Sequence, residues 1–246
     1  MRCFFILWRR QLSAYLTQSG FYAVAAMFLF VAGLNFWKLL SESFQTPLTL
    51  GNLMFESVYL WLMLLAVITV LAMPLLSEEK RSRTLEVMLT APVTDTILVL
   101  AKYSAALAAF ILICAPLAAY PFLMRVFSLG GDELDSGLLA SGFLGMALVG
   151  GYYLAIGLFI SSLTRSQAVA AILTFPALCL LFFPGAVQST AAESWLGAVL
   201  AHVTGARHIM DFSRGIIDMA PVFYCVSGAV FFLFATVKVI ESRHWK

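Results

Sequence analysis

Charge is scarce in this chain: Asp, Glu, Lys and Arg make up only 11% of its 246 residues. Apolar residues make up 62%, and mean hydropathy is +0.95, well beyond the ~45–50% apolar usage of soluble domains. That excludes an ordinary soluble globule and leaves an integral membrane protein with no sizeable soluble domain. A net charge of +2 gives no case for nucleic-acid binding. The four cysteines form no CxxC pair and read as small hydrophobes rather than disulfides or metal ligands.

Other absences narrow the function. The centres of the apolar runs hold no ionisable residue, which disfavours an ion-coupled secondary transporter, because such residues are costly at membrane depth and mark pathways. Glu56 and Lys102 stand near run ends and read as solvated. Of the three histidines, His202 and His208 fall in an outer connection and His244 in the tail, which disfavours haem held between spanning helices. His208 and Asp211 supply two ligands at most, too few for a metal site. Ser141, Ser161 and Ser162 have no histidine or lysine base in the runs, which argues against an intramembrane hydrolase. There is no GxxxxGK[ST] phosphate loop, so uphill movement of a substrate would need an ATPase in another subunit.

What is there is length. Six apolar runs, at about 20–40, 56–76, 97–124, 138–162, 167–187 and 219–240, each approach or exceed the ~20 residues of a membrane crossing. Backbone groups must be satisfied internally in hydrocarbon, and the runs lack a barrel's alternation, so helices are expected. The first run is too long for a cleaved signal and is expected to stay. Residues 1–18 place Phe4, Phe5, Trp8, Leu12, Tyr15 and Leu16 at helical spacing with Arg2, Arg9 and Arg10 mostly opposite, the pattern of an interfacial amphipathic helix. A straight extension of the first run is the alternative. Pro116, Pro121, Pro176 and Pro184 are expected to kink the third and fifth runs. Small residues recur every fourth position at Ala101, Ala105 and Ala109, at Ser141 and Gly145, and at Ala147, Gly151 and Ala155, allowing close helix approach.

With the N-terminus inside, eleven Lys or Arg residues fall on the inner side and four on the outer. This bias assigns both termini to the cytoplasm. The outer connections are then 41–55, 125–137 and 188–218, the last with Trp195, Leu196, Val199, Leu200 and Val203 on a short amphipathic helix.

One stretch departs from the rest: Ser77–Asp95, SEEKRSRTLEVMLTAPVTD, carries seven ionisable residues. It is expected in water or against a partner, within a cytoplasmic loop at 77–96. Arg83 to Thr90 can form a short helix ended by Pro92, and Thr94 or Asp95 can cap the next run through a side-chain oxygen.

The run from Glu78 to Val93, EEKRSRTLEVMLTAPV, resembles the E-x-x-x-G-T-L-E-x-L-L-x-x-P segment of ABC-2-type ABC transporter permeases. Phe212 to Asp218, FSRGIID, and Glu241 to Trp245, ESRHW, resemble the gliding-motility-type subgroup, close to permeases that accompany nitrous-oxide reductase maturation. The resemblance implies an all-α fold of six transmembrane helices in one transmembrane domain, with an N-terminal elbow helix and a cytoplasmic coupling helix. It implies a multi-pass permease in the bacterial inner membrane, an exporter without catalytic residues. Two ABC ATP-binding subunits would carry ATP and Mg, and a second copy or a related larger permease with an outer domain would complete the complex. Glu79, Arg83, Thr84, Leu85, Glu86, Met88 and Leu89 would form the ATPase-coupling segment. The family's glycine before Thr-Leu-Glu is Arg83 here. The remaining alternatives are a secondary transporter and a non-transporting membrane scaffold of a surface apparatus.

Overall fold

Long apolar runs fold here as helices that pack on one another. The computed structural model describes residues 2–43, 57–82, 94–120, 122–123, 136–183 and 219–242. Among these, eight α-helices follow in order: α1 (Arg2–Thr17), α2 (Ser19–Ser43), α3 (Val58–Ala72), α4 (Pro74–Arg81), α5 (Asp95–Cys114), α6 (Ser136–Leu163), α7 (Gln167–Phe182) and α8 (Met219–Glu241). The chain is thus all-helical over its described residues.

Among the described residues, five segments are long and apolar enough to cross a membrane: Ser19–Lys38, Val58–Arg81, Asp95–Ala118, Ala140–Leu163 and Met219–Glu241. The expected fifth run appears as α7, 16 residues long. At ~1.5 Å per residue it spans ~24 Å, short of the ~30 Å hydrocarbon core. Pro176 lies inside α7. Pro116, expected to kink the third run, sits in a 3-10 turn at Ala115–Ala118, after which Ala119, Tyr120, Phe122 and Leu123 are helical again.

The bundle alternates in direction. Near one end, Trp61 of α3 stacks on Phe182 of α7 with ring centroids 5.3 Å apart, and Phe36 of α2 stacks on Tyr120 at 4.8 Å. Helices α6 and α8 run parallel, tied by Tyr152 against Tyr224 and Phe159 against Phe232. The expected small-residue ridges pack within the chain: Ala101, Ala105, Ala109 and Ala155 are fully buried. Two closer approaches use other glycines. A Cβ on Gly157 would lie 2.5 Å from the Ala72 Cβ, and one on Gly228 2.5 Å from the Tyr152 ring. Helices α3, α5 and α6 form the interior, whereas α2 and α8 leave Phe30, Trp37, Phe223, Phe231 and Phe234 exposed, the arrangement expected of lipid-facing helices.

Helix α1 is separated from α2 by a non-helical residue, Gln18, whose N–H donates to the Tyr15 carbonyl at 3.2 Å. The two are therefore distinct helices rather than one straight extension. The inward side of α1 carries Leu7, Gln11, Leu12 and the buried Tyr15, while Arg9 and Arg10 are exposed.

Candidate functional site

Proline cannot donate a backbone hydrogen bond, and its ring disrupts the turn before it. Pro74 accordingly divides the second apolar segment into α3 and α4, with Pro74 opening α4. Around such a break, carbonyls and N–H groups need partners from elsewhere. Three side chains from three other helices supply them.

Tyr15 of α1 donates to the Leu71 carbonyl at 2.7 Å. Its burial pushes the phenol well above the usual tyrosine range, so it remains a donor at physiological pH. Ser161 of α6 donates to the Met73 carbonyl at 3.0 Å and accepts from the N–H groups of Leu76 at 3.2 Å and Ser77 at 3.1 Å. An N-cap hydroxyl normally comes from the residue before the helix; here a different helix provides it. Ser77 also donates its hydroxyl to the Met73 carbonyl.

Lys102 of α5 is the third. Its ammonium donates to the Leu75 carbonyl at 2.6 Å, lies 2.7 Å from Glu79 Oε1, and reaches Gln11 Oε1 of α1 at 3.4 Å. The lysine side chain is 4% exposed and the glutamate 16%. A small cavity of about 20 Å³ adjoins the pair, lined by Leu7, Arg10, Gln11, Leu98 and the pair itself. Glu79 Oε2 is buried there without a hydrogen-bond partner.

These contacts correct two expectations. Lys102 is not solvated at a span end: it is buried and ion-paired, because α1 and α4 cover it. The start of the charged stretch is not surrounded by water either, since Ser77 is fully buried and Lys80 is 9% exposed within α4. Thr94 stands at the N-cap position of α5, but its side chain makes no capping bond and pairs with Thr96 at 3.1 Å, while its carbonyl accepts from Leu98.

Of the expected coupling residues, Glu79 is brought into this cluster. Arg83, Thr84, Leu85, Glu86, Met88 and Leu89 lie outside the described residues, as do Glu56, Pro121, Pro184, His208, Asp211 and the 188–218 connection. Ser82 and Thr94, which flank residues 83–93, are both exposed. Tyr15, Gln11, Lys102 and Ser161 were not singled out from the sequence as members of one site. Lys102 carried a usable signal, a lone cation seven residues into an apolar helix. Ser161 carried none.

Described residues that are all helical, with five helices long and apolar enough to span, define a multi-pass membrane protein. Residues 37–201 match the family described as ABC-2 family transporter protein, and the match covers more than half of the chain. The protein belongs to that family, as a membrane-spanning permease component of an ABC transporter, which pairs with an ABC ATP-binding subunit. No curated protein matches the chain.

Proposed function

We propose that this chain is the permease subunit of an ATP-driven exporter, in which residues 77–96 receive the motion of the ATPase. The observation that carries the reading is the packed base under residues 83–93: α4 leads into them, α5 leads out, and Lys102 ties one to the other through Glu79. A segment held between two spanning helices in this way can pass a push from outside into both.

Arg83, Thr84, Leu85, Glu86, Met88 and Leu89 then make the surface that meets the ATPase, with Glu79 in the stem beneath it. Arg83, standing where the family pattern has glycine, either reshapes the entry turn or contacts the ATPase directly. ATP and Mg belong to the partner, present in two copies. A second permease, identical or larger, completes a path opened alternately to each side. In the bacterial inner membrane the basic ends of the helices, with Lys80, Arg81, Lys102, Arg165 and Lys238, face the cytoplasm together with both termini. Helix α1 serves as the elbow, and the apolar run at about 167–187, which holds α7, supplies the sixth span. The gliding-motility-type subgroup rests on residues 205–245, beyond the matched 37–201.

Purification in mild detergent is expected to bring down an ATP-binding subunit. Glu86→Arg reverses a charge on the proposed contact surface and should abolish permease-dependent ATPase regulation. Normal ATPase binding and transport in Glu86→Arg would remove the coupling role from that surface.

A further inference from the structure

Glu79 faces into the protein. Its Oε1 is engaged by a lysine that is almost wholly buried, and its other oxygen is also buried. A carboxylate so placed is held inside the protein and cannot make an outward contact. We propose that Glu79 and Lys102 are positioning residues: they join α1, α4 and α5 into one block that holds the two ends of residues 83–93 at a set separation, and Glu79 does not touch the ATPase.

The three bonds of the lysine tie α5 to two other helices, two of them to α4 and one to α1. Its contact with Glu79 spans the loop, because Glu79 lies three residues before Ser82 and Lys102 eight residues after Thr94. The bond to the Leu75 carbonyl holds α4 just beyond the Pro74 break, and the bond to Gln11 adds α1. Without the lysine, α4 retains Ser161 at its start but loses the bonds from α5 at Leu75 and Glu79. The stem then pivots about Pro74, and a push on residues 83–93 is spent in moving α4 alone. Removing one partner of a buried pair also leaves the other charge uncompensated, which is worse than removing both.

The inference rests on the coupling reading only for its ATPase readout; the geometric readout stands without it. The experiment uses the permease with its co-purified ATPase, native cysteines replaced by alanine, and spin labels at positions 82 and 94. The variants are Lys102→Met, Glu79→Gln and the double substitution. Pulsed-EPR distance distributions between the labels are expected to broaden at least twofold in both single variants, while ATPase co-purification persists and ATP-driven change in the distance is lost. The double variant should be no worse than either single one, because each residue acts through the other, and it keeps the test valid if an unpaired charge prevents folding. Glu86→Arg should show the opposite pattern, an unchanged distribution with the ATPase lost or unregulated. If Glu79→Gln sheds the ATPase while the distribution stays narrow, Glu79 is a contact residue and the proposal is wrong. Unchanged distributions in all three variants would overturn it equally.

Discussion

Tyr15 shows how a single side chain can join two helices. In the sequence it belongs to the apolar face of an amphipathic segment, suited to lie among headgroups. In the structure it is 3% exposed, and its hydroxyl reaches a carbonyl 56 residues away. Because burial raises its pKa, no alkaline transition near neutrality is expected from it. Tyr15→Phe removes the donor but keeps the ring, leaving the Leu71 carbonyl to find another partner. The cost should be about 1–3 kcal/mol, read as a lower thermal midpoint in detergent. Lys102 makes the same point with charge. An isolated ammonium is costly in an apolar setting, and this one is stabilised by a carboxylate, a carbonyl and an amide, each from chain remote from α5.

At the scale of elements, the break at Pro74 is the organising feature. A proline inside a helix leaves backbone groups without partners, and in a dry interior each one costs free energy. Ser161 satisfies three such groups at once. Ser161→Ala therefore exposes α4 to fraying: hydrogen–deuterium exchange should rise selectively at Leu76 and Ser77, with a loss of about 1–3 kcal/mol in local protection. Exchange confined to the ends of α6 instead would show that the hydroxyl serves α6 rather than α4. The neighbouring Ser162 donates to the Phe159 carbonyl within its own helix and supplies the control.

Element existence was largely legible beforehand. Helices form where the apolar runs lie, since hydrocarbon leaves the backbone little alternative. Less legible were their ends. The second run was expected to leave the membrane near Leu76, yet the helix resumes after Pro74 and continues to Arg81, because Ser161 of α6 satisfies the buried Ser77 N–H and Lys102 of α5 pairs with Glu79. The third run is interrupted by a 3-10 turn at Pro116, beyond which Ala119, Tyr120, Phe122 and Leu123 are again helical.

For the whole molecule, close packing and charge asymmetry carry separate consequences. Gly157 brings α6 against α3 at Ala72, and the obstructing atom there is a Cβ fixed to its backbone. Gly157→Leu must push the two helices apart, with an overpacking cost of about 1–3 kcal/mol or more, measured as lower yield of folded protein and a lower thermal midpoint. Gly20→Leu, where nothing but the flexible Gln18 side chain is near, should be nearly neutral. Orientation can be read from Cys3, which is exposed, whereas Cys114 and Cys225 are buried. A membrane-impermeant thiol reagent should label Cys3 only after the membrane is opened or inverted; labelling in intact cells would place the N-terminus outside and reverse the assignment.

Composition and periodicity were sufficient for a membrane protein built of helices, and the GTLE-like segment was sufficient for its family, because both are local properties that any window of the chain displays. Which residues form a site was not a local property. Glu79 and Lys102 are 23 positions apart, Ser161 lies 84 positions beyond Ser77, and Tyr15 and Gln11 belong to a helix read as a surface anchor. They meet because Pro74 leaves backbone groups that must be paired, and because folding brings α1, α5 and α6 to that one point. Hydrophobicity sets where the helices run, but the need to satisfy buried polar groups decides which faces of them touch.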